Sequence, residues 1–394
     1  MGSPINFQVV IIGAGASGLM CALAAGRRGR RTLLLDHADR AGKKILVSGG
    51  GRCNFTNQSV EPRNYLSNNP HFYKSALGLF KPCDFIYLLK KHGVAYQERT
   101  LGQLFCKGSS REIVDLLLKE CRMAGVTIQT KRTVEKIEKA GHFKVITNME
   151  TYEAESLVIA TGGLSMPEAG ATGFGHSVAK RFGLKVLPCR PGLVPLTLSK
   201  RDMKRLEGLA GVSVYAEVSC GKQSFREAVL FTHKGLSGPA ILQISNYWLP
   251  GDEIIINLLP GIGLAEKIRG WRRERPKSRL SNLIGGLLAK SLARQLLGPS
   301  RDNKPVNQYN EKEIKEAAEI FHQWRVLPSG TEGYGKAEVT IGGVDTDGIS
   351  SKTFEARRVK GLYFIGEVLD VAGWLGGYNL HWAWASGYRA GQFV

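Results

Sequence analysis

An α/β fold is predicted by three observations: an early apolar strand opening into a glycine-spaced turn and helix, a central change to short strands separated by turns, and a late buried strand followed by a glycine-led helix. Together they describe a Rossmann-like dinucleotide-binding domain with an inserted small antiparallel β-barrel domain that itself carries a helical insertion. The expected boundaries are 1–190 and 346–394 for the nucleotide domain, 191–260 and 329–345 for the barrel, and 261–328 for the helical basic insertion. At 394 residues the chain exceeds one ordinary core, which also calls for several domains.

The first apolar run, Val9-Val10-Ile11-Ile12, enters Gly13-Ala14-Gly15-Ala16-Ser17-Gly18 and then a helix from Leu19 to about Gly29. Gly13 permits the tight turn, Gly15 lets backbone N–H groups approach a pyrophosphate, and Gly18 lets helix and strand pack closely. Phosphates are expected at the helix N-terminus, where unpaired N–H groups favour anions. The next strand, Thr32 to Leu35, ends at Asp36, whose carboxylate suits ribose hydroxyls and disfavours the 2′-phosphate of NADP. From Gly42 to Asn54, three consecutive glycines lie among polar donors. Such a stretch makes poor helix and poor strand and bends closely around a ligand.

Pro82 to Gly93 and Ser110 to Gly125 read as amphipathic helices. Val126 to Ile128, Val134 to Ile137, Phe143 to Thr147 and Ser156 to Ile159 read as strands, the last leading into Ala160-Thr161-Gly162-Gly163. Gly170-Ala171-Thr172-Gly173-Phe174-Gly175 has no strand before it and no acidic partner after it. It therefore reads as the N-terminus of a helix, His176 to Phe182, and not as a second nucleotide site. After Pro191, Val194 to Leu198, Val212 to Val218, Ser224 to Leu230 and Glu253 to Asn257 are the barrel strands. Leu264 to about Trp324 is helical in pattern, and the barrel resumes through Thr331 to Tyr334 and Ala337 to Val344. Gly361 to Glu367 is a buried strand, and Gly376-Gly377-Tyr378-Asn379 opens a last helix, Leu380 to Ala390.

The balance of 54 Lys+Arg against 34 Asp+Glu gives a net charge of +20, which favours a polyanionic partner such as RNA. The candidate RNA-binding surface is Lys267, Arg269, Arg272, Arg273, Arg275, Lys277 and Arg279, with a solvated helix face as the competing reading. The seven cysteines are spread singly, a reduced-thiol pattern that suggests neither disulfides nor a metal site. There is no apolar run of about eighteen residues, and Met1-Gly2-Ser3-Pro4-Ile5-Asn6 carries neither a signal-peptide core nor a myristoylation pattern. A cytoplasmic protein with no membrane partner is expected.

Lys43 to Asn57, KKILVSGGGRCNFTN, resembles the flavin-contacting segment of the YhiN/BaiN-type flavoproteins, a family of NAD(P)/FAD-dependent oxidoreductases. Further marks of that family recur at Ala160-Thr161-Gly162-Gly163, Phe231 to Pro239, Thr340 to Val344, Gly366 to Asp370 and Gly376 to Asn379. The resemblance implies a two-dinucleotide-binding-type FAD fold. Its implied cofactor contacts are Gly13, Gly15, Ala16, Ser17 and Gly18; Asp36 and His37; Lys43, Lys44, Ser48, Gly49, Gly50, Arg52, Cys53 and Asn54; Val134; Ala160, Thr161, Gly162 and Gly163; Gly366, Glu367 and Asp370; and Gly376, Gly377, Tyr378 and Asn379. Relatives often carry Gly-Asp where this chain has Gly366-Glu367, which leaves open whether Glu367 or Asp370 meets the ribityl chain.

Several returns of the chain to one turn suit a long ligand, so FAD fits better than a resident NAD, and NAD(P)H is expected only as a transient electron donor. The resemblance implies reduction of a C=C bond conjugated to a carbonyl, either a uracil of ribosomal RNA giving dihydrouridine or a small steroid-like enone acid. The charge favours the RNA. A non-enzymatic, flavin-containing RNA-associated protein is the third reading. Trp374, Tyr378, Trp382 and Trp384 concentrate near the flavin end, where aromatic rings would receive an unstacked base, although core packing explains at least half of such residues. The candidate proton donors are Cys53, Cys106, His233 and Tyr378, with Lys107 expected to lower the Cys106 pKa.

Overall fold

The computed structural model describes residues 4–394; residues 1–3, part of the stretch read as lacking a signal-peptide core, lie outside them. The chain divides into two units, Met1–Pro191 with Glu338–Val394, and Gly192–Ala337.

The first unit is built on a mixed sheet in the order Thr127–Gln129, Thr32–Leu35, Ile5–Ile12, Thr151–Ile159, His142–Thr147 and Val134–Ala140. Leu362–Phe364 also pairs, in parallel, with the end of Thr151–Ile159. Val9, Val10, Ile11, Leu33, Leu34, Leu35, Leu157, Val158 and Ile159 are all wholly buried. Burial on both faces is why these strands read as unbroken apolar runs. Their parallel register sets Ile12 beside Leu35 and Ile159, and Ile159 beside Phe364. Four adjacent strand ends thus lie together, three leading into glycine-containing turns and the fourth into Asp36, on the edge where open α/β sheets receive ligands.

Behind that edge, the helix Ala16–Arg27 packs on the last helix, Tyr378–Gly391. The contact requires glycine, because a Cβ at Gly387 would lie 2.3 Å from the Ser17 carbonyl oxygen. In front, Asn54–Asn57, Gln103–Cys106 and Tyr96–Glu98 form a three-stranded antiparallel sheet that fixes the end of the KKILVSGGGRCN segment. The first strand starts at Ile5, earlier than its apolar run, because Ile5, Asn6 and Phe7 pair with Tyr152, Glu153 and Ala154.

The second unit carries a seven-stranded antiparallel sheet in the order Trp324–Val326, Ile254–Asn257, Ser213–Cys220, Gln223–Phe231, Gly235–Ser237, Leu196–Thr197 and Gly330–Thr331. No ladder among the described residues joins the two ends, so this is an open path where a closed barrel was expected. The basic helical segment comprises Leu264–Glu274, Leu280–Ile284, Lys290–Arg301 and Glu311–His322, and clusters with the sheet in one unit. It leaves and re-enters through Ile254–Asn257 and Trp324–Val326, which pair with each other. Residues 338–344, expected to complete the barrel, instead belong to the first unit, where Val339–Val344 pairs with Val186–Gly192. A short β-branched strand declares its conformation but not its partner. No helix among the described residues is long and apolar enough to cross a membrane.

Candidate functional site: a glycine-lined nucleotide cleft

The first turn divides its glycines by role. Gly13 has φ +109°, and a Cβ there would meet the Ala160 carbonyl oxygen at 2.4 Å, while one at Gly18 would lie 1.9 Å from the Gly13 carbonyl oxygen. Both positions are closed by backbone. Gly15 is the opposite case: a Cβ there would meet nothing within 4 Å. It is the N-cap of Ala16–Arg27 and provides no side-chain cap, so the first N–H groups of that helix face open space. Asp36 accepts the Ala14 N–H at 2.7 Å through Oδ2 and the Ala38 N–H at 2.8 Å through Oδ1, leaving lone pairs for a ribose. His37 Nδ1 lies 3.6 Å from Asp36 Oδ1, and Val134 is buried in its strand.

The Lys43–Gly51 segment is helical only at its start. Ser48 turns to ψ 146°, and Gly49 and Gly50 take left-handed φ of 56° and 65°, as the glycine run required. A Cβ at Gly50 would again meet nothing within 4 Å, nor would one at Gly162 in the Ala160–Gly163 turn, where φ is +73°. Thr161 Oγ1 is buried without a hydrogen-bond partner and lies against the next helix, where a Cβ at Gly175 would meet it at 2.3 Å. Three open glycines and a helix N-terminus without a side-chain cap fit an elongated, phosphate-bearing cofactor.

Lys44 organises the far part of the cleft. Its Nζ lies 2.7 Å from Glu367 Oε2 and donates to Ser165 Oγ at 3.1 Å. Ser165 Oγ donates to Glu367 Oε1 at 2.8 Å, and the Thr340 N–H donates to the same oxygen at 2.9 Å. Burial works to raise the Glu367 pKa, but Lys44, Ser165 and the Thr340 N–H hold it below the usual carboxylate range. Thr340 Oγ1 accepts the Leu164 and Ser165 N–H groups at 2.7 and 3.0 Å. The Glu338 carbonyl lies 3.4 Å from Ser165 Oγ, whose single proton goes to Glu367. Ser165, Glu338 and the role of Thr340 were not singled out in the sequence; their proximity to Lys44 is created by the fold.

Other expected contacts are spent on structure. Lys43 pairs with Asp39 at 2.8 Å. Asp370 Oδ2 accepts the Asn68 N–H at 2.7 Å, and Asn379 closes its own loop by accepting the Gly373 N–H at 2.7 Å. Gly376 and Gly377, at φ +120° and +94°, turn the chain into the last helix, and a Cβ at Gly377 would strike the Thr56 carbonyl oxygen at 2.3 Å. With its amide set so that the oxygen accepts the Gly377 N–H at 3.0 Å, Asn54 ties that turn to the Lys43–Asn57 segment. Gly366 takes φ +75° beside Ser17, while Arg52 is exposed. Of the four aromatic residues, Trp382 and Trp384 are core: their ring N–H groups donate to Gly366 O at 3.1 Å and Phe55 O at 2.9 Å.

The thiol candidates are corrected by their surroundings. Cys53 is wholly buried, and burial pushes its pKa up to about 12 despite a hydrogen bond with Ser48. Cys106 was expected to be lowered by Lys107. Instead, burial and then the charge of Glu112 raise it, and Sγ donates to the Ser109 carbonyl at 3.2 Å. Tyr378 is buried, with its ring edge-on to Tyr65. His233 belongs to the second unit, exposed in the turn between Gln223–Phe231 and Gly235–Ser237.

The basic segment also lies in the second unit, and part of its charge is used internally. Arg269 and Arg272 bind Glu311 at 3.0 and 2.9 Å, and Arg279 donates to the Asp302 carbonyl at 3.0 Å. Lys267, Arg273, Arg275 and Lys277 are exposed and have no ion-pair partner among the described residues.

A family profile described as "HI0933-like protein Rossmann domain" matches residues 7–393. A ribosomal RNA dihydrouridine synthase of Escherichia coli (strain K12) is 51% identical over 391 residues, covering 98% of each chain. A 3-dehydro-bile acid delta(4,6)-reductase of Clostridium scindens is 30% identical over 405 residues, again covering 98% of each chain. Among solved structures, a 3-ketosteroid-delta4-(5alpha)-dehydrogenase from Rhodococcus jostii RHA1 aligns with a TM-score of 0.52 at 12% identity, over 100% of this chain and 97% of that one. This last likeness is one of fold.

Proposed function

Because the chain belongs to the HI0933-like family of flavin oxidoreductases, we propose that it is an FAD-dependent reductase that converts a uracil of ribosomal RNA to dihydrouridine. The observation that carries this reading is the 51% identity, over nearly all of both chains, with a protein named for that activity. The net charge of +20 and the cations Lys267, Arg273, Arg275 and Lys277, unpaired among the described residues, support a phosphate-rich substrate.

The open faces of Gly15, Gly50 and Gly162 and the N-terminus of Ala16–Arg27 would hold the cofactor. Bound there, FAD supplies the hydride chemistry. The helix N-terminus offsets phosphate charge, and Asp36 offers acceptors to ribose hydroxyls. Lys44 and Glu367 brace one wall of the cleft through their 2.7 Å pair. NAD(P)H is the proposed transient electron donor, and a cytoplasmic location follows from a ribosomal substrate.

The 30% identical bile-acid reductase supports a second reading, reduction of a small enone, which involves the same hydride and proton additions. Mapping dihydrouridine in total RNA from cells with and without the protein distinguishes the two. Loss of one ribosomal site, restored by purified flavoprotein and a reductant, is expected. An unchanged map together with turnover of steroid enones would replace the RNA reading.

A further inference from the structure

We propose that Leu101 is an apolar wedge that takes the place of the target uridine in the RNA stack, with Arg99 beside it on the adjoining phosphate. The proposal rests on the RNA reading above and extends it to how a base held in folded RNA reaches the cofactor cleft.

Leu101 sits at the tip of the hairpin that joins Tyr96–Glu98 to Gln103–Cys106. It is 66% exposed, and its backbone is left-handed, with φ 59° and ψ 31°. A branched apolar side chain gains nothing from water and is disfavoured in that conformation, which glycine and asparagine take more readily. The fold nevertheless fastens it in place. Asn57, a buried side chain, donates through Nδ2 to the Leu101 carbonyl at 3.0 Å and to the Gly376 carbonyl at 3.1 Å. The Gln58 N–H donates to the Gly102 carbonyl at 2.8 Å, and the Arg99 N–H to the Gln103 carbonyl at 2.8 Å. Strain that the surroundings hold so firmly marks a functional position.

The same contacts place the hairpin beside the cleft. Gly376 opens the turn into the last helix, which Asn54 ties to the Lys43–Asn57 segment, and a Cβ at Gly376 would lie 3.3 Å from Gln103 Cγ. One strand residue further in, a Cβ at Gly49 would meet the Phe105 ring at 2.9 Å, and the next residue, Gly50, is one of the three open glycines. The Arg99 guanidinium lies over that ring, 4.4 Å from its centroid. Phe105 thus links the cofactor's glycines to an arginine that is exposed and has no ion-pair partner among the described residues.

These side chains meet the two demands that a base in RNA imposes and a small enone does not. A stacked uridine cannot present its C5=C6 bond to a flavin; it has to leave the stack, and the faces of its neighbours are then bared to water. An apolar side chain held rigidly at the tip of a hairpin fills that gap. The phosphate that swings with the base needs a cation, and a guanidinium steadied on an aromatic ring supplies one.

The test reduces FAD-loaded wild type, Leu101→Asn and Leu101→Met under nitrogen with stoichiometric dithionite, then follows flavin absorbance on mixing with large-subunit ribosomal RNA from cells lacking the protein. Asparagine suits the left-handed turn but removes the apolar surface. FAD content and melting temperature should match wild type, while RNA-driven reoxidation slows about tenfold in Leu101→Asn and at most about twofold in Leu101→Met. Reoxidation by dioxygen should be equal in all three. A wild-type rate with RNA in Leu101→Asn, or a rate with dioxygen that falls in parallel, overturns the proposal. Binding isotherms at several salt concentrations examine the neighbour: the salt slope of log K should fall by about 1 in Arg99→Gln and hold its wild-type value in Leu101→Asn. An unaltered slope in Arg99→Gln overturns the phosphate contact. Should Leu101→Asn lose FAD, Leu101→Gly, which the turn also accepts, carries the rate comparison with the same outcomes. Wild type that RNA cannot reoxidise defeats the RNA reading itself, and the wedge with it.

Discussion

Two groups of paired charge in the nucleotide-binding unit respond to desolvation in opposite ways. At the first, Glu120 is 3% exposed and is met by two cations, Arg27 and Lys91 at 2.7 Å, and by His92 at 2.6 Å. Burial works to raise its pKa, but hydrogen bonds from Lys91, His92 and Arg27 bring it down to about 2. It fastens Ala16–Arg27 and Pro82–Lys91 to Ser110–Met123. At the second, one lysine serves two carboxyls: Lys44 binds Glu367, and Glu338 is left raised. A carboxylate with more donors than it needs is held low and ties helices together; where one lysine faces two carboxyls, the carboxyl without the ion pair is shifted upward.

Breaking the first group should give the largest effect. Glu120→Gln strands Arg27 and Lys91 around a neutral amide, and a loss of about 3 kcal/mol is expected, because a buried charge network that loses its anion retains the desolvation cost. FAD content per folded molecule should stay unchanged. The pH dependence follows from the same shift. The folded pKa of Glu120 lies below its unfolded value, so its stabilisation is present above about pH 4.5 and is lost as pH falls toward 2. Denaturant titrations across that window should show a shallower acid limb for Glu120→Gln than for wild type; parallel limbs would remove Glu120 from the account.

The second group sharpens the comparison with a smaller effect. Lys44→Met removes the cation shared by Glu367 and Glu338 and leaves Ser165 and the Thr340 N–H as the remaining partners of Glu367. Stability is expected to fall by about 1–2 kcal/mol, less than at Glu120, because Lys44 and Glu367 are partly solvated. Here the sign is reversed for Glu338. Its folded pKa lies above the unfolded one, so the stabilisation from its bound proton is present at low pH and lost as pH rises through the folded value. Stability curves of Glu338→Gln and Glu120→Gln should therefore depart from wild type in opposite senses on acidification.

What the sequence disclosed and concealed follows the same division. The turn Gly13–Gly18 was legible because each glycine answers a local requirement, and the structure returns those requirements as a 1.9 Å clash at Gly18 and open space at Gly15. The parallel core strands were legible because burial on both faces demands unbroken apolar residues. The cluster around Lys44 was not, since Lys44 meets Ser165 across 121 positions and Glu367 across 323. No spacing rule reaches that far. Cys106 misled for a related reason: Lys107 is its neighbour in sequence, but the charge that acts on the thiol is Glu112, brought up by the turn into Ser110–Met123. The partner of Val339–Val344 was invisible in the same way, because a strand carries no record of the edge it joins.

The smallest expected effect concerns the basic segment, where internal pairing again separates structural from available charge. Arg269 and Arg272 neutralise Glu311, so replacing them should mainly loosen Leu264–Glu274 from Glu311–His322. Arg273, Arg275 and Lys277 have no such duty among the described residues. If they meet phosphates, changing all three to glutamine should leave the melting temperature and FAD content in place, weaken RNA binding about tenfold at moderate salt and reduce the salt slope of log K by about 2. Binding isotherms at several salt concentrations measure both quantities. A weaker complex with an unchanged slope would mean that the loss is not one of phosphate contacts, and an unchanged complex would leave these cations as a solvated helix end. In either case the charge that recruits RNA would have to be sought elsewhere, and the first unit, with 32 Lys+Arg against 20 Asp+Glu, has a surplus of its own to offer.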